Sequence, residues 1–318
     1  MTLQQQIRGN RLRSSIVVGG FVLLLVVLAG LVGLALDVSL GVVALIVALV
    51  YAVFGIIRSR SLISGITHAQ PLGPDELRPL RRLVENVSIG AGLPVTPELR
   101  VVDDDAPNAF AAGLRPTSSY IGVTTGLLRT MPKRELEAVI AHEVSHIRNR
   151  DTYLMTMATV FAGVIALIAD IGFRSLAYGG RSRKGGVIVM ILAVVGFVLA
   201  PYAALLLRMS LSRRREYLAD ASASEILNDP EAMALALNRL ELDTTSVRYA
   251  DASTAHLWVE SPTDRIDSER RGIVAMSGLF NTHPPLRTRI AALEEAGGFR
   301  LPERIPAHES FAVELGLA

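Results

Sequence analysis

Cysteine is absent from the 318 residues, which removes disulfide bridges, a thiolate nucleophile and any thiolate-bound metal from consideration. Lysine is nearly absent: Lys133 and Lys184 stand alone, so the basic side chains are almost all arginine. Charge is scarce, at 19% of residues, and balanced, with 32 basic against 30 acidic side chains for a net +2. A nucleic-acid binder would carry a basic excess, and none is present. Aromatic residues make up 5%, with Trp258 the single tryptophan. What fills the chain is aliphatic. Half of the residues are hydrophobic and the mean hydropathy is +0.40, too apolar for an ordinary soluble domain and incompatible with disorder.

The apolar residues are gathered in runs. Ile16 to Leu36 and Leu40 to Ile57 carry no charge, and a stretch of about twenty such residues crosses roughly 30 Å of hydrocarbon as a helix. A secretory signal is the poorer reading of the first run, because no small-residue cleavage site follows and a second run starts after Asp37, Val38 and Ser39. Thr152 to Phe173, with Asp170 near its outer end, and Gly186 to Leu207 are two further runs. Arginines flank them: Arg8, Arg11 and Arg13 before the first, Arg58 and Arg60 after the second, Arg208 and Arg213 to Arg215 after the fourth. The positive-inside rule puts these flanks in the cytoplasm. The loop 174 to 184, with four basic residues, then faces outward against that rule. Either a short loop tolerates the bias, or the last two runs form a hairpin that does not cross fully.

Between and after the runs the pattern is that of a folded domain. Asp75 and Pro79 precede Leu80, Leu83, Val84 and Val87 at helical spacing, closed by Gly90 and Gly92. Leu99 to Val102, Ala109 to Ala112 and Tyr120 to Thr124 read as short strands, and Asp103, Asp104 and Asp105 as a solvated turn. From Pro132, apolar residues recur at three and four through Ile147, which predicts an amphipathic helix continuing unbroken from 133 to 150 into the third run.

That helix holds His142, Glu143 and His146, an H-E-x-x-H motif. Imidazoles four residues apart lie about 6 Å along one helical face and can share a metal, with the glutamate beside it. A catalytic zinc needs a third protein ligand and an open position. At about 1.5 Å per residue, His146 and Glu216 lie at similar distances from the ends of the third and fourth runs. Antiparallel neighbours would set Glu216 opposite the histidines, with Asp220 one turn on and able to orient an imidazole. The alternative for Glu216 is an ion pair with Arg213 or Arg215. Asp151 either bonds the site or marks the membrane interface.

Together these pieces resemble the HtpX-type integral-membrane zinc metalloproteases, gluzincins related to the CAAX prenyl proteases. The resemblance covers nearly the whole chain and runs in order through Pro107 to Gly113, Thr124 to Leu128, Ala141 to His146, Glu216 to Asp220, His256-Leu257-Trp258, and Phe280 to Pro285 with Arg289-Ile290. It implies one Zn²⁺ on His142, His146 and Glu216, Glu143 as base, and His283 or Arg289 as further donors to the developing oxyanion, the alternatives being a polar residue at a helix N-terminus for His283 and a buried structural ion pair for Arg289. The implied molecule is mostly α with a small mixed β-sheet: a four-span helical membrane protein with a cytoplasmic zincin-like domain. Its parts would be 1–57, a transmembrane hairpin; 58–151, the sheet and the H-E-x-x-H helix; 152–207, a second hairpin; and 208–318, the third ligand and a C-terminal helix. An extended peptide adding to a strand edge would find Asn108, Ala109, Phe110 and Ala111 there; the alternative is a plain strand with Asn108 as its turn residue. The implied activity is an endopeptidase of the bacterial plasma membrane, active site inside, hydrolysing misfolded or damaged membrane and cytoplasmic proteins in envelope quality control under stress. Polypeptides and the bilayer are its partners, not nucleic acid.

A non-catalytic scaffold or holdase derived from such a protease would usually have lost the base or a ligand, and neither is missing. A transporter has only Asp170 in its favour, and that residue reads as interfacial. His68 and His308 read as solvated, and His256 belongs to a matching segment without an evident role.

Overall fold

The computed structural model describes residues 38–73, 76–161, 213–248, 254–260, 284–302 and 310–317, with Gly163 and parts of 16–30. The chain divides into two compact units, Met1–Leu62 with Thr156–Ser210 and Ile63–Met155 with Leu211–Ala318. His283, Asp170, His308 and the loop 174 to 184 lie outside the described residues, as does most of the third and fourth apolar runs.

In the first unit, α1 (Val38–Ile57) begins within the expected Asp37-Val38-Ser39 loop. Much of its surface is bare and apolar, with Val43, Ile46, Val47, Val50 and Phe54 all more than half exposed. No single helix among the described residues is long and apolar enough to cross a membrane. Leu45–Ile57 and Ser59–Thr67 (α2), bent by 73° at the break between them, are so together.

The second unit is helical around a four-stranded mixed sheet. The strands are β1 (Gln70–Pro71), β2 (Glu98–Val102), β3 (Ala109–Ala112) and β4 (Tyr120–Thr124), ordered β1-β2-β4-β3. β2 and β4 are parallel, and the outer pairs are antiparallel. Side-chain alternation buries both faces. Leu99, Ala109, Ala111, Ile121 and Val123 join the core under the helices, while Val102, Phe110, Ala112 and Tyr120 pack with Leu257 and Trp258. Phe110 lies flat over its partner Gly122, where a Cβ would stand 2.3 Å from the ring; only glycine permits that approach.

Helix α3 (Arg78–Gly90) starts with Pro79 in its first turn and buries Leu80, Leu83, Val84 and Val87, worth about 1.5–3 kcal/mol each. They pack in one core with Leu136, Val139 and Ile140 of α5 (Lys133–Arg148), which follows the short α4 (Thr125–Thr130). The Thr124 side chain caps α4 by accepting from Leu127 N–H. After α5 come α6 (residues 151–161), α7 (Arg213–Leu227), α8 (Pro230–Leu242), α9 (Leu286–Gly297) and α10 (Ala312–Leu315). Buried Glu135 receives both ends of the Arg239 guanidinium, which fastens α8 along α5.

Two expectations need correction. The H-E-x-x-H helix does not continue unbroken: α5 ends at Arg148, Asn149 caps it, and Arg150 takes a φ of 61° before α6 begins. A non-glycine residue there costs roughly 1–2 kcal/mol. The acidic turn is not wholly solvated either. Asp104 is buried, accepting from the N–H groups of Ala106 and Arg248, and Asp105 pairs with Arg129 and Arg248.

Candidate metal centre

Helices α5 and α7 lie side by side and supply the centre. The His142 and His146 rings meet edge to face, with their Nε2 atoms 3.2 Å apart. Glu216, in the first turn of α7, has Oε2 3.8 Å from His142 Nε2 and Oε1 3.6 Å from His146 Nε2. One ligand atom from each of the three residues falls within 4.8 Å of the others, and all three are buried.

The donors fit zinc. Ligand bonds of about 2.0–2.1 Å at a tetrahedral angle leave neighbouring donor atoms roughly 3.3 Å apart, close to what is found here. The tautomers fit as well. His142 Nδ1 lies 2.9 Å from Asp220 Oδ1, and His146 Nδ1 lies 3.1 Å from Asp151 Oδ2. A carboxylate only accepts, so each Nδ1 carries a proton, which leaves Nε2 of each ring as the atom to ligate a metal.

Electrostatics follow from burial. Glu143 is enclosed beside Glu216, and burial pushes its carboxyl up to about 8, against the pull of His146 and of an Ala111 backbone N–H. Burial alone would depress His146, but the Asp151 bond and the charges of Glu216, Asp151 and Glu143 prevail and hold it at about 9. In His142 burial wins over Asp220 and lowers the value. Burial raises Asp220, yet the charge and hydrogen bonds of Arg289, with those of His142, bring it below the usual carboxylate range.

Arg289, expected to face the substrate oxyanion, is fully buried and occupied. Its Nε and Nη2 donate to the two oxygens of Asp220 at 2.8 and 2.6 Å, and Nη1 donates to the Val259 carbonyl at 3.2 Å and lies 3.4 Å from Glu216. Arg215 reaches toward Asp151 at 3.8 Å. His256 donates from Nε2 to the Met155 carbonyl at 3.1 Å, a structural role.

The expected substrate edge is partly covered. β3 is indeed an edge strand, but Ala109 O accepts from Val259 N–H at 2.9 Å, and the Asn108 amide donates to Glu260 O at 2.8 Å. The Phe110 ring is buried with its centroid 4.7 Å from that of Trp258. Unpaired edge groups are costly when buried, and the segment Trp258–Glu260 satisfies them. Ala111 is the next residue whose backbone turns to that side. Sequence reasoning gave no sign of this strap, since it pairs positions far apart in the chain.

Peptidase family M48 matches residues 74–297. The "Protease HtpX homolog" of Thermoanaerobacter pseudethanolicus is 40% identical over 233 residues, 71% of this chain and 74% of that protein. Its namesake in Limosilactobacillus fermentum is 35% identical over 304 residues, 92% of this chain and 99% of that protein. The crystal structure of S. mikatae Ste24p aligns at 20% identity and a TM-score of 0.48, covering 92% of this chain and 66% of that one. With the family pattern running from ahead of α3 to the end of α9, and one relative matched almost end to end, the chain belongs to peptidase family M48, among the HtpX-type metalloproteases.

Proposed function

We propose that the chain is a zinc-dependent endopeptidase of the bacterial plasma membrane, with its active site on the cytoplasmic side. Its substrates would be misfolded or damaged membrane and cytoplasmic proteins. The observation that carries this reading is the buried group of His142, His146 and Glu216, with Glu143 on the same helix as both histidines. When bound, zinc supplies Lewis acidity toward the scissile carbonyl and toward water. Glu143 takes a proton at its carboxylate from the attacking water and returns it to the leaving amine nitrogen. Asp220, clamped by Arg289, keeps His142 in the ligating tautomer. The backbone of β3 from Ala111 onward is the place for an extended substrate, beyond the Trp258–Glu260 strap. The apolar exposed surface of α1 supports a membrane setting, and the four-span arrangement and quality-control role rest on the family resemblance.

Metal content and casein cleavage of purified protein, beside a Glu143→Gln variant, test the reading. About one zinc per chain is expected in both, as the ligand set dictates, with hydrolysis in the wild type alone. Full casein cleavage by metal-free protein would refute it, and binding of unfolded casein without cleavage by zinc-loaded wild type would favour a holdase.

A further inference from the structure

We propose that Asp151 is the positioning residue for the second ligand imidazole, and that the break at Asn149 and Arg150 serves to deliver it. The inference rests on reading His142, His146 and Glu216 as metal ligands. In an unbroken α-helix successive residues turn by about 100°, so the fifth residue on points roughly 140° away around the axis. Asp151 would then face away from His146. Instead its Oδ2 lies 3.1 Å from His146 Nδ1, and both side chains are buried.

The chain achieves this by stopping α5 at Arg148 and placing Arg150 at a φ of 61°. No glycine stands there, so the surroundings must hold the backbone in that state, and strain of this kind is kept where a site needs it. The other oxygen of the same carboxylate faces Arg215 Nη1 at 3.8 Å. Arg215 immediately precedes Glu216, so Asp151 ties the end of the histidine helix to the turn that carries the third ligand.

The two imidazoles are therefore held from different places. His142 is held by Asp220, from the helix that also supplies Glu216. His146 is held by the first residue of α6, a segment outside the H-E-x-x-H helix and outside α7. Without Asp151, the His146 ring can turn about its side-chain bonds and move its proton to Nε2, and in either case the lone pair leaves the metal position.

Zinc affinity of the full-length chain in detergent, measured by competition with a chromophoric chelator, tests this together with the Co²⁺ absorption spectrum. Asp151→Ala is expected to weaken zinc binding by about 10- to 100-fold and to shift the Co²⁺ bands. Asp151→Asn, which retains an acceptor oxygen, should fall between. Arg150→Val touches no ligand but disfavours positive φ, and it should weaken zinc binding as well, whereas Arg150→Gly should match the wild type. An Asp151→Ala protein with wild-type zinc affinity and an unchanged Co²⁺ spectrum would overturn the inference. Should that variant not fold, equal affinities of Arg150→Val and Arg150→Gly overturn it instead. A wild type that binds no zinc refutes the metal reading itself, a result distinct from wild type and Asp151→Ala binding zinc alike.

Discussion

At the scale of single residues, Glu143 is the most consequential side chain. Glu143→Gln preserves shape and leaves the three ligands in place but cannot move a proton, so turnover should fall by about 10² to 10⁴ with zinc retained; single-turnover peptide cleavage beside a zinc assay checks both halves. The same residue gives the metal-free protein a distinctive response to pH. Glu143 and His146 both have folded-state values above their ordinary ones, at about 8 and about 9. Between pH 6.5 and 9 the folded state therefore holds protons that the unfolded chain has released, and stability falls as pH rises through that window. Zinc ligation requires the His146 proton to leave, so its stabilisation grows over the same interval. Chelator-treated protein should show a declining thermal midpoint from pH 6.5 to 9 while the gap to the zinc-loaded protein widens. A flat midpoint in the chelated protein would mean that these two groups do not hold their protons as described.

At the scale of elements, β2, β3 and β4 were legible because each is short and bounded by Asp, Pro, Gly or Ser, and the H-E-x-x-H helix because its apolar residues recur at three and four; the two-residue β1 carries too little pattern to be read. Similar depths along two helices allow Glu216 to meet the histidines but leave an ion pair with Arg213 or Arg215 equally open; the family resemblance decides between them, and Asp220 follows from its place one turn on. The stop after Arg148 was not readable. Nothing in Arg148-Asn149-Arg150 announces the break, since the usual glycine is missing, and from the sequence Asp151 stays open between bonding the site and marking the membrane interface. For Arg289 the family resemblance points to an oxyanion donor, with a buried ion pair as the alternative; the structure pairs it with Asp220, a partner that the motifs do not name. Helix packing makes two predictions. Glu216→Ala should lower zinc affinity while Arg213→Ala, on the exposed side of the same turn, should not; equal retention would remove Glu216 from the ligand set. Gly126 opens α4 against the Asp105 carbonyl, where a Cβ would stand 2.0 Å from the oxygen. Gly126→Ala should cost about 1–3 kcal/mol, as other overpacking does, read as a lowered denaturation midpoint.

At the scale of the whole molecule, sidedness decides which proteins the site can meet. With the N-terminal arginines inside, both readings of the last two apolar runs leave the catalytic unit in the cytoplasm, and they differ only at the loop 174 to 184. A chain without cysteine is a clean background. Single cysteines at Ser175 and Ser182 should react with an impermeant thiol reagent in intact cells, and one at Ser118 should not. Labelling at Ser118 would place the site outside, and silence at both loop positions would favour an incomplete hairpin. The separation of the ligands along the chain has one more effect. His142 and His146 are made before the second pair of apolar runs and Glu216 after it, so a ribosome still translating that pair holds a polypeptide with two imidazoles and no third donor. Such a nascent chain is chemically mute. The ligand set is complete only when synthesis has passed both runs and α7 can fold against α5, so the chain cannot gain its metal centre before its last apolar run has been made.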